Sequence, residues 1–393
     1  MTATVHVVGA GIAGLACAVA IARAGRRVHV HEAAPHAGGR CRSFHDPLLD
    51  RVIDNGSHLV LGINRAVLAF LKATDGIVAT QPLPPGLDFV DVRDQSRHRL
   101  VPGRLPASPG ETLRALGLPW AAAEQTVAER LDRTDAFARL WQPLCLAALN
   151  TTAEQASARL FATVLRAALL GGRRGFQGWS FPKGLSAALV QPALDFLHAR
   201  DCPLALGRRL TALTPTGLSF ADIAIPLDTT DRVVLALPPP ALARLLPGLE
   251  ALPMEAIANL HYRLPRVPPP QAPLGLLGAE GHWLFVCGDV ASVTVSAASS
   301  PPDAGRVWRE IAPLLGMEGP LPPHRMIMER RATLSHRPDV IRRRPGPRTV
   351  WKNVFLAGDW LGSRWPCTLE TAVSSGRRAA GLALGRDHIG FSW

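Results

Sequence analysis

The chain has 393 residues, ample for two domains, and 47% of them are hydrophobic, which excludes a disordered or fibrous protein. Its six cysteines are scattered, with no C-x-x-C and no ligand-like spacing to histidine, so neither a disulfide framework nor a metal site is expected. The formal charge is +12, and only Lys72, Lys183 and Lys352 among the 43 cationic residues are lysines, so the charge is carried by arginine.

The first predicted elements are a buried strand over Thr4–Val8 and an Ala-rich helix over Ile12–Ala24. Between them Gly9, Gly11 and Gly14 form a G-x-G-x-x-G. The first glycine permits the tight turn, the second lets a pyrophosphate approach the backbone, and the third lets helix pack on strand. Free N–H groups at the start of the helix, at Ile12 and Ala13, then face the phosphates with the positive end of the helix dipole. Arg27–His31 reads as the second strand, with Glu32 at its end and Ala33 beside it. An acid about twenty positions beyond the glycines accepts hydrogen bonds from a ribose diol and repels a 2′-phosphate, so NADP is not expected. FAD and NAD both remain open on these residues. Residues 5–22 are apolar enough for a signal peptide, but no basic segment precedes them and the glycine fingerprint accounts for them.

Residues 105–195 are mostly helical in pattern. Over Gln155–Leu170, Leu160, Phe161, Val164, Leu165, Ala168 and Leu169 share one face opposite Arg159 and Arg166; ordinary core is the favoured reading of that face, a membrane-contacting helix the other. Leu206–Leu213, including Leu210, reads as a strand of a small sheet near the nucleotide, and Arg232–Leu237 as a buried strand stopped by Pro238-Pro239-Pro240. Residues 264–275 are a proline-rich connection. Val354–Ala357 is a further buried strand ending in Gly358-Asp359, and a helix is predicted over Glu370–Leu384. No second dinucleotide fingerprint and no stretch long enough to span a bilayer is found.

Gly38-Gly39-Arg40 after the second strand, and Gly358-Asp359 near the end, resemble the flavin amine oxidase and phytoene desaturase superfamily. Ile53–Gly62 (I-D-N-G-S-H-L-V-L-G), Leu140–Thr151 (L-W-Q-P-L-C-L-A-A-L-N-T) and Leu356–Trp360 (L-A-G-D-W) narrow this: the chain resembles the hydroxysqualene dehydroxylase family from residue 4 to residue 381. It departs from the family at Ser57, often glutamine there, at the single Gly184, and over Leu361–Glu370.

The resemblance implies an α/β fold: a Rossmann-like FAD-binding domain of the amine-oxidase type (residues 1–65, 195–240 and 345–393) with an inserted mixed α+β substrate domain (66–194 and 241–344). It makes FAD the cofactor. Added to Gly9, Gly11, Ile12, Ala13, Gly14, Glu32 and Ala33, it assigns to FAD Gly38, Gly39, Arg40, Asn55, Gly56, Ser57, Leu210, Gly358, Asp359, Thr368 and Leu369. The implied activity is reductive removal of the hydroxyl of hydroxysqualene by reduced FAD, giving squalene and water for hopanoid synthesis. A polyene desaturase or isomerase, and a non-catalytic isoprenoid-binding escort protein, are the alternatives. His58 and then Asp54, in the turn expected near the flavin, are the candidate acids. Expected partners are a long-chain isoprenoid lipid, an anionic membrane surface and an external electron donor, and not nucleic acid. The expected location is cytoplasmic, peripheral on the inner face of the cytoplasmic membrane.

Overall fold

The computed structural model describes residues 3–386 except 102, 104, 118, 119 and 247. The extreme ends of the first and last nucleotide-binding segments (1–2 and 387–393) and residues 118 and 119 of the helical stretch lie outside the described residues.

A five-stranded parallel sheet carries the site. Its strand order is Leu204–Ala205, Arg27–His31, Thr4–Val8, Arg232–Leu235, Val354–Leu356. Thr4–Val8 is central, with Val5 opposite Val28 on one side and Arg232 on the other. Val7, Val28, Val233, Val234, Leu235 and Val354 are fully buried, as β-branched runs covered on both faces must be. The Arg232 strand ends at Leu235, and Pro238 then leads into a short helix over Pro239–Leu242.

The expected strand over Leu206–Leu213 is instead split. Leu204–Ala205 extends the parallel sheet, a turn with Gly207 at φ +69° follows, and Leu210–Thr214 starts a separate three-stranded antiparallel sheet. The turn is tied down because Gly207 N–H donates to the Ala34 carbonyl and Arg208 N–H to the Glu32 carbonyl.

A second, seven-stranded sheet is antiparallel except where Leu274–Leu277 runs parallel to Leu87–Asp91. Its longest strands, Met254–Arg263 and His324–Leu334, pair with one another. Leu260, Tyr262 and Val293 pack with Val307, Trp308 and Ile311 of the helix Ala304–Ile311. Register places Asn259, Thr294 and Trp283 together on the opposite face. Residues 105–195 are mainly helical, interrupted by the short strand Gly178–Ser180. Leu160, Phe161, Leu165 and Ala168 of helix Ala158–Leu170 are buried with Trp141, so this face is core. No helix of the described residues is long and apolar enough to cross a membrane.

The first helix, Ile12–Arg23, is buried from Ile12 to Ala22 because the last helix, Leu369–Ala383, lies against it. They approach closely at Gly376, where a Cβ would overlap the Ala13 carbonyl and sit 3.0 Å from Cys17 N. Gly376→Val should therefore part the two helices and destabilise the protein by about 1–3 kcal/mol or more, read as a lower midpoint in thermal or urea unfolding. An unchanged midpoint would show that the helices can separate at no cost.

Candidate active site

The three fingerprint glycines do different work. A Cβ on Gly9 would overlap the Ala236 carbonyl, and one on Gly14 would overlap the Gly9 carbonyl, so both are demanded by the fold. A Cβ on Gly11 would meet no protein atom within 4 Å. Gly11 is also the N-cap of the first helix, whose leading N–H groups receive no side-chain cap and whose first turn holds no acid. Ile12 and Ala13 thus open a helix end left free for an anion. Glu32 stands at the end of the second strand, its Oε2 accepting from Ala10 N–H at 2.7 Å and its Oε1 from Ala34 N–H at 2.8 Å. Each oxygen keeps a lone pair for a diol. Ala33 is half-buried beside it.

Gly38 and Gly39 have φ of +100° and +59°, conformations that glycine alone adopts without strain. Gly38 N–H donates to Ala10 O at 2.8 Å, laying this segment across the fingerprint turn, and a Cβ on Gly39 would lie 3.3 Å from Gly11 Cα. Arg40 then reaches the far end of the sequence. Its Nη2 donates to Asp359 Oδ1 at 2.7 Å, and its Nη1 to the Ala332 carbonyl. The guanidinium and the acid that the resemblance assigns to FAD are thus engaged with one another. Leu210 is buried among Val8, Leu218 and Phe220, so its side chain is core.

Asp359 belongs to a loop held from beneath by Arg344, which is 8% exposed. Arg344 Nη2, Nε and Nη1 donate to the carbonyls of Asp359, Trp360 and Trp365 at 2.8, 3.2 and 3.0 Å. The loop's far end is fixed by His336, whose Nε2 accepts from Cys367 N–H at 2.8 Å while its Nδ1 faces the Leu149 carbonyl. A backbone donor on one nitrogen and an acceptor on the other select the neutral Nδ1–H tautomer. Burial accordingly pushes the His336 pKa down to about 4. Gly358 N–H donates to Ser375 Oγ at 2.9 Å, and Thr368 caps the last helix without a side-chain bond, leaving the N–H groups after it, from Leu369 onward, open. Glu370 turns away: its carboxylate accepts from Ala66 and Val67 N–H at 2.9 to 3.2 Å and caps the helix Arg65–Ala73.

The D-N-G-S-H turn lies between this frame and the second sheet. Asn55 Nδ2 donates to Arg40 O at 3.3 Å, and Asn259 Nδ2 donates to Asn55 O at 3.3 Å. Thr294 Oγ1 donates to Asn259 Oδ1 at 2.9 Å. Gly56 leaves room for Asn259, whose Nδ2 would be 3.2 Å from a Cβ there, and Ser57 is half-buried. Asp54 Oδ1 accepts from Ser43 Oγ at 2.5 Å and from Leu185 N–H at 2.9 Å, with burial raising its pKa above the ordinary carboxylate value. A side chain at Gly184 (φ +83°) would press on Asp54, which accounts for glycine there. His58 Nδ1 lies 2.7 Å from Gly56 O, and burial lowers its pKa. At neutral pH His58 is therefore uncharged, with Nε2 as an acceptor. The two groups interact, each favouring the other's charged form.

Sequence reasoning did not find His336, Arg344, Asn259 or the capping role of Glu370. Arg344 sits in an arginine triplet that reads as surface charge, and His336 has no motif; only their partners, distant in the chain, reveal them.

Residues 7–74 match the family model of the NAD(P)-binding Rossmann-like domain, and residues 306–384 that of flavin-containing amine oxidoreductase. Cyclohexylamine oxidase from Brevibacterium oxydans shares the fold at a TM-score of 0.70 and 19% identity, with 98% of this chain and 99% of that one covered. Putrescine oxidase bound to putrescine shares it at 0.67 and 16%, covering 98% and 100%. Fold and site together define an FAD-dependent oxidoreductase of the amine oxidase superfamily. Over 98% of its length the chain is 40% identical to hydroxysqualene dehydroxylase of Rhodopseudomonas palustris and 38% to that of Sinorhizobium fredii, covering 99% of each. The Zymomonas mobilis protein of that name is 32% identical, with 96% and 98% covered. The chain belongs to the hydroxysqualene dehydroxylase family.

Because a Cβ at Gly11 meets no protein atom, Gly11→Val should fold with a normal far-UV spectrum and lose most of its flavin absorbance. A yellow variant would move the cofactor elsewhere. His336 is neutral in the fold and titrates near its ordinary value when unfolded, so its contribution to stability is complete above about pH 6.5 and is lost as the pH falls toward 4. His336→Gln should flatten the decline of stability over that window by up to about 1.4 kcal/mol per pH unit, measured by urea unfolding at a series of pH values. Parallel curves for variant and wild type would contradict this.

Proposed function

We propose that the protein removes the hydroxyl group of hydroxysqualene reductively, giving squalene and water for the synthesis of hopanoid-type triterpenoids. The observation that carries this reading is the full-length relationship to proteins of that name, joined to a glycine turn left open at Gly11. In this reading residues 1–65, 195–240 and 345–393 form the cofactor domain, and 66–194 with 241–344 the substrate domain. Gly11, Ile12 and Ala13 receive the pyrophosphate on the helix end, and Glu32 the adenosine ribose. Gly38, Gly39 and Arg40 cover it. Asp359 and the open N–H groups after Thr368 face the remainder of FAD.

The reaction requires a proton on the departing oxygen and a hydride on carbon, so that C–OH becomes C–H with loss of water. When bound and reduced, FAD supplies the hydride. The chain must supply the proton and a dry apolar wall. Half-buried Trp283 and Phe285, on the sheet face shared with Thr294 and Ser292, offer such a wall to an isoprenoid chain. Burial favours the protonated form of Asp54 and the neutral form of His58. These directions favour Asp54 as the proton donor and His58 as the acceptor that orients the hydroxyl, the reverse of the order in which the residue types alone rank them. A substrate this apolar resides in a bilayer, which on this reading puts the protein on the cytoplasmic face of the membrane, supplied by an external electron donor.

The test is anaerobic. The flavin is reduced with dithionite, excess reductant is removed, hydroxysqualene in detergent is added, and flavin reoxidation and extracted lipid are followed together. Reoxidation matched by squalene is the expected result. A flavin that stays reduced beside unchanged lipid would overturn the reading and favour polyene desaturation. Asp54→Asn and His58→Gln should both keep FAD and slow reoxidation, Asp54→Asn more severely; unchanged rates would remove that residue from the chemistry.

A further inference from the structure

The outward side of helix Ala158–Leu170 is distinct from its buried face. Arg159, Thr163, Arg166 and Leu170 follow one another at helical spacing along it, and the chain continues into exposed Arg173 and Arg174. Leu170 is 87% exposed at the tip. Trp120 is 77% exposed, and the Arg166 guanidinium lies over its ring at 5.4 Å, which fixes the tryptophan beside this stripe. The neighbouring helix Pro109–Ala115 adds exposed Leu113 and Arg114, while its one acid, Glu111, is turned inward to Ser108 and Ala136 N–H.

The charges of this stripe are not neutralised within the described residues. Some exposed arginines, such as Arg99, Arg306, Arg337 and Arg343, contact carboxylates. Among the described residues Arg114, Arg159, Arg173 and Arg174 have no carboxylate partner. An isolated apolar side chain on a surface means little, but a tryptophan and leucines ringed by uncompensated arginines complement one kind of surface closely. Indole and leucine favour the boundary between headgroups and acyl chains, and arginine the anionic headgroups above it.

We propose that this face docks the protein on a bilayer rich in acidic lipid, with Trp120 and Leu170 inserted and Arg166, Arg173 and Arg174 on the headgroups. The proposal rests on the reading of the substrate as a membrane lipid, and it gives that reading a place on the molecule. It differs from a membrane contact through the apolar face of the same helix, which is occupied by core.

The experiment is co-sedimentation of the full-length holoprotein with vesicles of phosphatidylcholine alone or of equal parts phosphatidylcholine and phosphatidylglycerol. Binding to the acidic vesicles only, weakened about tenfold or more by Arg173→Gln with Arg174→Gln and comparably by Trp120→Ser with Leu170→Ser, is expected. Arg26→Gln with Arg27→Gln, exposed where the turn after the first helix enters the second strand, removes the same charge and should bind as wild type. Absence of binding to acidic vesicles, equal loss in the distant variant, or loss of a dimer in the Trp120 variant in place of vesicle binding would each overturn the proposal. Turnover in detergent does not depend on docking, so a protein that binds vesicles but leaves hydroxysqualene unchanged overturns the chemical reading alone.

Discussion

The ion pair between Arg40 and Asp359 is the contact on which the site depends. It joins residues 319 positions apart, and each side of it is anchored before the two meet. Arg40 is delivered by a glycine pair hydrogen-bonded across the fingerprint turn, and Asp359 by a strand of the same parallel sheet. The pair is not isolated. From Thr294 through Asn259, Asn55, Arg40 and Asp359 to Arg344, a continuous series of hydrogen bonds links the second sheet to the loop that precedes the last helix. Any movement of one sheet relative to the other must break a member of it.

Arg344 and His336 show how a loop without regular structure is made definite. A buried guanidinium normally requires a carboxylate, yet Arg344 is satisfied by three carbonyls, and the Asp359 carboxylate beside it is taken by Arg40. His336 does the complementary task with no charge at all. It ties the end of the Leu140–Thr151 segment, through Leu149, to Cys367. Asn150 completes that end from a left-handed conformation, with Nδ2 on Thr333 Oγ1 and Oδ1 accepting from Ala297 N–H. The Leu140–Thr151 segment is thus structural at its end, fastening the helical region, the second sheet and the loop after Asp359 together.

Much of this was legible in the sequence wherever local chemistry and fold agree. The first strand, the glycine turn, the first helix and Glu32 follow from residue type and spacing, and the structure has them with the same bounds to within a residue. Leu206–Leu213 misled because apolar residues on both sides of Gly207 look like one strand, whereas the glycine turns the chain from one sheet into another. The individual roles of Asp54 and His58 were not legible at all. Whether a carboxyl is raised or an imidazole lowered depends on burial in the folded chain, and even the N–H that opposes the shift at Asp54, that of Leu185, comes from more than a hundred residues away. Glu370 was visible as a letter in a motif, but its task is to cap a helix that begins at Arg65, and no spacing rule reaches that far.

The central position of Thr4–Val8 also has a consequence for how the protein is made. This strand is made long before its neighbours on one side, since its partner there begins at Arg232 and the next strand outward begins at Val354. The cap on helix Arg65–Ala73 and the cover over the first helix come later still, from Glu370 and Gly376. A very apolar helix must therefore wait until Gly376 is made for the surface that buries it. Until then the nascent protein exposes the kind of segment that chaperones hold.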